Sequence, residues 1–398
     1  MIDVLVDMTA LSTPSRERGI GRYVRSLCLE LARRDDWLER YAEAPRGLEI
    51  AALTRHYGEL ESALDPTLAF GGNLAIGTSG LRYQRHKLER RLLMGGLLSR
   101  ARARLVHLPD PPGTPFDRRA RRIVTCHDLI PLVLAKDYLS PLPGARWLQR
   151  ERDRARYQTA ARVIAISEAT RRDLVEQLGV EPSRVDVVHH GVDHERFHTR
   201  AAQDDAALLE RELSITEPFL LYLGAGDVRK NLPLLVRAYA RSGVAAHVQL
   251  LLAGPISKRS RARLLAEAEG AGVASRVRLL GYTDEKYVVP LYRQCLAHVF
   301  PSSYEGFGLT VLEAMACGAP TLTTAFSSLG EVAGDAALTL TELAEEPFAR
   351  ELGRLVSDAE LREQLRQRGL AHAQKFTWER CAAQTLACYG RALSEGDG

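Results

Sequence analysis

Two glutamates stand on either side of a Gly-x-Gly turn in Tyr304-Glu305-Gly306-Phe307-Gly308-Leu309-Thr310-Val311-Leu312-Glu313. Upstream lies Leu296-Ala297-His298-Val299-Phe300, an apolar run of strand length. Downstream, Ala314-Met315-Ala316-Cys317 continues a helix that Gly318 and Pro320 stop. The unit reads strand, Gly-rich turn, helix, and the backbone amides at such a helix start suit a phosphate. With the helix beginning near Leu309, Glu313 sits roughly 6 Å along the axis and Glu305 before the turn. A ligand with a diphosphate in its middle and a polyol at each end would lie across the turn, one polyol against each glutamate. A nucleotide-sugar has that shape.

A second turn, Leu223-Gly224-Ala225-Gly226-Asp227-Val228-Arg229-Lys230-Asn231, also follows a strand and precedes a helix. It lacks the third glycine of a dinucleotide fingerprint. Its chemistry is Arg229 and Lys230 at a strand's C-terminal edge, where α/β sheets bind ligands and where two cations suit a diphosphate leaving group. Nearer the N-terminus, Arg18-Gly19-Ile20-Gly21-Arg22-Tyr23 opens a helix, either as a close-packed turn or as a further ligand contact. Thr125-Cys126-His127-Asp128 ends an apolar strand, so His127 is either a packed residue or a contact to a sugar hydroxyl that assists proton movement. Gly281-Tyr282 is either a plain strand-to-helix turn or a ring face for a base. Ser167 before Glu168 reads as an N-cap. His189 and His190 are adjacent, which on a strand points them to opposite faces and disfavours a metal site. No Asp-x-Asp motif offers ligands for a metal-held diphosphate.

These residues need sheets to carry them. Strand-like runs alternate with helix-like runs throughout, the mark of parallel α/β sheets. The first half reads as strands over 2–6, 48–52, 105–108, 123–126, 163–166 and 185–188, with helices over 21–34, 144–157 and 168–178. The alternation starts afresh at 219–223, and the polar, alanine-rich stretch 198–217 between the halves reads as the interdomain linker. A long helix over 376–393 carries Trp378 near its start. At 398 residues the chain has room for two ordinary domains. The formal net charge of +4 argues against a dedicated nucleic-acid binder. Six scattered cysteines never form Cys-x-x-Cys, which suits a reducing compartment better than a disulfide framework. Neither a signal peptide nor a transmembrane helix is expected. The segment 81–104 holds eight Lys/Arg against one acid, with leucines near helical spacing. It reads either as a solvated helix or as a helix that docks on an anionic membrane.

Together these residues resemble the family 4 retaining glycosyltransferases of GT-B architecture. The resemblance covers nearly the whole chain and rests on the Glu-x7-Glu pattern of Glu305 and Glu313. Arg229-Lys230-Asn231, Gly19-Ile20-Gly21-Arg22-Tyr23, His127-Asp128, Gly191-Val192-Asp193 with Phe197, and Phe376-Thr377-Trp378 fall in the matching order. The flanking motifs look most like a bacterial subgroup that builds surface polysaccharides, mannosyltransferases among them. The resemblance implies two Rossmann-like parallel-sheet domains facing across a cleft. Residues 1–200 would bind acceptor, 201–377 would bind the nucleotide-sugar, and a C-terminal helix over about 378–398 would cross back to the first domain. It implies that Glu313 binds the ribose, Glu305 the transferred sugar and Lys230 the diphosphate, with the amides of Gly306, Phe307, Gly308 and Leu309 nearby. His127 would lie close to the reacting centre, and the Gly19–Gly21 turn would close on the donor. The chain departs from many members at Ala225, where they carry an arginine; Arg229 is the candidate that compensates.

The expected activity is transfer of a hexose, mannose first, from a nucleotide-sugar to a glycan, lipid-linked or glycoside hydroxyl. Configuration would be retained, without a metal or other cofactor, in the cytoplasm or at the inner membrane face. Two other classes fit the same architecture. A nucleotide-sugar epimerase would change the donor with no acceptor present. A non-catalytic sugar-nucleotide-binding module would neither transfer nor hydrolyse it.

Overall fold

The computed structural model of the chain describes residues 3–12, 19–56, 73–77, 103–110, 121–200 and 204–395. It divides into two compact units, Met1–Gly191 with Trp378–Gly398, and Val192–Thr377. The division falls nine residues before the expected 200/201 boundary. The basic segment 81–104 lies outside the described residues except for its last two positions.

Among the described residues, unit 1 is built on a sheet of seven strands in the order β3-β2-β1-β4-β5-β6-β7. The strands are β1 (Val4–Asp7), β2 (Ile50–His56), β3 (Asn73–Gly77), β4 (Leu105–Leu108), β5 (Arg122–Cys126), β6 (Arg162–Ala165) and β7 (Val185–Val187). Every pairing is parallel. Val4 and Val6 enter one core cluster while Leu5 enters another, and Ile123 and Val124 divide in the same way. Both faces are therefore dry, which is why these strands read as unbroken apolar runs. The helix Gly19–Ala32 lays Tyr23, Val24, Leu27, Cys28 and Leu31 on one face, at helical spacing. The closing helix Trp378–Ser394 joins that cluster through Trp378, Cys381, Leu386 and Tyr389.

Unit 2 carries six parallel strands in the order β10-β9-β8-β11-β12-β13. They are β8 (Phe219–Leu223), β9 (Gln249–Ala253), β10 (Val277–Gly281), β11 (Ala297–Phe300), β12 (Thr321–Thr324) and β13 (Leu338–Leu340). In each sheet the winding reverses once, between β1 and β4 in unit 1 and between β8 and β11 in unit 2. Beyond the C-terminal ends of strands at such a reversal, the connections leave in opposite directions and a crevice opens.

The structure corrects the linker reading. The stretch 198–217 contains the helix Asp205–Leu213, started by Asp204, whose carboxylate accepts the amides of Ala206 and Ala207. Arg293 holds buried Asp205 at 2.6 Å, and Leu209 is buried. Alanine, leucine and glutamate without a long apolar stripe are good helix formers, and that composition was mistaken for a connection. The first helix begins at Gly19, two residues earlier than expected. Strands β3 and β13 lie at sheet edges and are absent from the sequence reading.

Candidate active site

In unit 2, the reversal brings Lys230 and Glu305 together from two adjacent strands. Lys230 lies in the short 3-10 turn Val228–Lys230 that follows β8, and Glu305 lies in the loop after β11. Nζ of Lys230 donates to Oε1 of Glu305 at 2.5 Å. Ser302 donates its hydroxyl to the same oxygen, also at 2.5 Å. Arg229 donates to Asp227 Oδ2 at 2.6 Å, to Glu305 Oε2 at 3.3 Å and to the Tyr304 carbonyl at 3.0 Å. Two cations and two carboxylates thus form one chain of contacts, with Lys230 and Glu305 both buried. Breaking such a pair from one side leaves an uncompensated buried charge.

Burial pushes the Lys230 ammonium below its ordinary value, with Glu305 opposing that shift and Arg229 adding to it. Nζ also stands 4.3 Å from the centroid of the Phe300 ring. Phe300 is stacked between Tyr222 and His298, at 5.8 Å from each. His298 is fully buried, and among the described residues neither ring nitrogen has a hydrogen-bond partner. Burial, followed by the charge of Lys230, takes its imidazole down to about 3.

The Gly-x-Gly turn is held from behind. Ser328 donates to the carbonyls of Glu305 and Phe307 at 2.9 and 2.7 Å, and Ser327 donates to that of Glu305 at 2.6 Å. Gly308 starts the helix Leu309–Ala316 at φ 118°, and a β-carbon there would stand 2.8 Å from Leu329. Only glycine fits that bend. The first amides of the helix have no intrahelical acceptor. Glu313 is buried on this helix. The turn at Gly224 is set by a close approach of chains: Gly224 N donates to the Ala253 carbonyl, and a β-carbon on Gly254 would lie 2.1 Å from the Gly224 carbonyl oxygen. Gly254 N in turn donates to Gly281 O at 2.7 Å. The three strand ends are thus joined, and Tyr282, just past them, is 75% exposed.

In unit 1, His127 follows β5 and is buried. Its Nε2 lies 2.7 Å from the Pro109 carbonyl, which can only accept, so Nε2 carries the proton and Nδ1 is the acceptor. Burial lowers its pKa, against the pull of Asp110 and Asp128. Tyr23 meets its ring edge-on at 5.1 Å and stacks on His190 at 4.7 Å. Behind Tyr23 runs a buried chain: Tyr23 Oη to Thr125 Oγ1 at 3.1 Å, Thr125 to His107 Nε2 at 2.8 Å, and His107 Nδ1 to Tyr389 Oη at 2.7 Å. Burial takes His107 down to about 3. Gly19 and Gly21 lie in the first turn of the helix that carries Tyr23. Ser167 caps its helix by accepting the Thr170 amide at 3.0 Å.

The candidate residues therefore fall in two groups. Arg229, Lys230 and Glu305 are in mutual contact in unit 2, with Gly224, Gly306, Phe307, Gly308, Leu309, Glu313 and Tyr282 on the same sheet's connections. Gly19, Gly21 and His127 belong to unit 1. Sequence reading missed Ser302, Asp227, Ser327, Ser328, Phe300 and Gly254. A signal existed for the hydroxyls, since Pro301-Ser302-Ser303 and Ser327-Ser328 are small polar pairs beside strand ends. Nothing in the sequence aims Phe300 at Lys230.

A family model described as "Glycosyl transferases group 1" matches residues 208–372, and one described as "Glycosyltransferase Family 4" matches 18–196. A "Serotype-specific mannosyltransferase WbdA" of Escherichia coli is 29% identical over 278 residues, 69% of this chain and 34% of that protein. A "D-inositol 3-phosphate glycosyltransferase" of Salinispora tropica is 31% identical over 269 residues, covering 64% of this chain and 55% of that one. The chain thus spans about a third of the length of the first of these relatives and about half of the second. The structure of Anabaena Alr3699/HepE, solved in complex with UDP and glucose, superposes with a TM-score of 0.71 at 16% identity, covering 99% of this chain and all of that one. Both sheets and both family matches agree: this chain belongs to family 4 of the glycosyltransferases and has the GT-B fold.

Proposed function

We propose that the chain is a retaining glycosyltransferase that moves a hexose from a nucleotide-sugar to a hydroxyl. The observation that carries this reading is the contact of Lys230 and Arg229 with Glu305 at the winding reversal of unit 2. Opposite charges are held there by the fold itself, so little reorganisation is needed when a diphosphate leaves. The C1–O bond to the diphosphate breaks and the C1–O bond to the acceptor forms on the same face of the sugar. The acceptor's proton passes to the departing phosphate oxygen. Lys230 and Arg229 stabilise that oxygen's negative charge, together with the amides at the start of the Leu309–Ala316 helix. These cations fill the charge-balancing role of a divalent ion, so chelators should leave turnover unchanged. Glu305 orients the transferred sugar, Glu313 takes the ribose, and Nδ1 of His127 accepts a sugar hydroxyl.

Mannose on GDP is the first choice of donor, supported by the mannosyltransferase names among the relatives. A UDP-hexose is second, in line with the UDP and glucose bound to HepE. The acceptor is a glycan, lipid-linked or glycoside hydroxyl in surface polysaccharide synthesis, and no nucleic acid is involved. The reaction is assigned to the cytoplasm or its membrane face, with the segment 81–104 as an anionic-lipid contact. All six cysteines are free and buried, which suits a reducing compartment, and no described helix is long and apolar enough to cross a membrane.

The test has two steps. A thermal-shift panel of nucleoside diphosphates should raise the melting temperature with one base preferred. NMR of the product formed from the matching sugar donor should then show the donor's anomeric configuration. An inverted product, or a sugar epimerised with no acceptor present, would overturn the reading.

A further inference from the structure

Five large apolar side chains are exposed among the described residues, and three of them fall within seven positions of unit 1: Leu142 at 70%, Trp147 at 65% and Leu148 at 44%. They sit on the loop and first turns of the helix Ala145–Tyr157. Scattered exposed leucines are ordinary, but an indole and two leucines in one patch are not. Beside them opens a cavity of about 530 Å³ lined by Leu132, Gly144, Arg146, Trp147, Arg150 and Gln177. Arg146 and Arg150 are four apart and so share a helix face. No acid occurs from 138 to 150. Arg150 is braced by its bond to the Gln177 carbonyl at 2.8 Å, and Arg146 has no partner among the described residues.

We propose that this patch is a membrane-docking surface for an anionic bilayer. Leu142, Trp147 and Leu148 enter the headgroup boundary, and Arg146 and Arg150 pair with lipid phosphates at the mouth of the cavity. The composition fits that partner on both counts. A tryptophan has an apolar body and a polar N–H, which suits an interface with one wet and one oily side. Arginines attract anionic headgroups while their stems lie on apolar surface. A second copy of this chain is the poorer occupant, because a twofold contact would set the arginines of one patch against those of the other. Leu132 lies five residues past His127, so the cavity borders the connection that leaves the candidate acceptor side.

The test uses the full chain and vesicles of phosphatidylglycerol mixed with phosphatidylcholine. The chain contains three tryptophans, and Trp37 and Trp378 are buried, so a lipid-induced change in emission reports Trp147. Co-sedimentation with anionic vesicles should be weaker on pure phosphatidylcholine and weaker in high salt. Emission should shift to the blue, and brominated-chain lipid should quench it, a readout that needs no variant. In Leu142→Ser/Trp147→Ser the bound fraction should fall at least about tenfold, since fully withdrawing two large apolar side chains from an apolar phase would cost more than that and these enter only the headgroup boundary. The melting temperature should be unchanged, because both side chains are exposed. Absence of quenching, or pelleting that the double substitution leaves intact, overturns the proposal. So does lipid-free self-association that Trp147→Ser abolishes. A chain that docks on vesicles but transfers no sugar would refute the catalytic reading and leave this one standing.

Discussion

At the winding reversal of unit 2, Lys230, Arg229, Glu305 and Asp227 are in direct contact, and a hydroxyl from Ser302 completes the set. At that of unit 1, the corresponding space holds Tyr23, Thr125, His107, His127 and His190, all uncharged. The sheets share a winding rule, yet one edge sets a lysine and an arginine against carboxylates, while the other sets uncharged rings and hydroxyls beside the acids Asp7, Asp110 and Asp128. On the proposed reading, a diphosphate whose charge grows as it leaves is met by the fixed cations of unit 2. The difference teaches that the winding rule selects where a ligand lies, while the side chains at strand ends select its charge.

The largest break in that comparison should come from the ionic edge. Lys230→Ala or Glu305→Ala should lower transfer by about 10³-fold, the scale of losing one fixed stabiliser of developing charge. Glu305→Ala should also lose about 3 kcal/mol or more of stability, since buried Lys230 is left without its carboxylate, and Lys230→Ala should lose less, because Arg229 and Ser302 still hold Glu305. Denaturant melts of Lys230→Ala/Glu305→Ala should recover part of that loss without recovering turnover. Full activity in either single variant would defeat the assignment. His127→Ala comes next, with turnover reduced about 10²-fold, the low end of what a positioned imidazole contributes. Nucleoside diphosphate affinity by calorimetry should be unchanged if the ionic edge alone holds the diphosphate.

Acid should separate the units. His107, His127 and His190 in unit 1, and His298 in unit 2, all have their pKa lowered by burial, His107 and His298 to about 3. Unfolded histidines take up protons near pH 6.5, while these stay neutral when folded. Protons therefore bind the unfolded state more below pH 6.5, and stability falls as pH drops from there toward 3. Each site contributes up to about 1.4 kcal/mol per pH unit. Hydrogen exchange at pH 5 against pH 7.5 should show unit 1, with three of the four, losing protection before unit 2. The reverse order would break the comparison. The smallest effect is expected of Tyr389→Phe, which deprives His107 Nδ1 of its partner and should cost about 1 kcal/mol in chemical denaturation. The charged edge of unit 2 should not register that change in its nucleotide affinity.

Much of this is legible in the sequence. The Glu305–Glu313 motif, its glycines and the strand before it announce themselves because each rests on local rules: apolar runs, backbone freedom at Gly308, helix caps. The helix Asp205–Leu213 has a local cap in Asp204 but is not read as a helix, and what anchors it is Arg293 holding Asp205, a partner far along the chain.

By itself, then, the sequence determined which residue types stand at strand ends and where the chain alternates between strand and helix, since both depend on neighbours within a few positions. It also determined that the candidate site residues comprise acids, cations and one histidine. Only the tertiary structure decided that Lys230 meets Glu305 from 75 positions away, that Phe300 lies beneath that ammonium, and that Tyr389 reaches back to His107. Such contacts arise because parallel strands set side by side in space are separated along the chain by whole crossover helices. The order in which those strands line up leaves no mark on the residues between them.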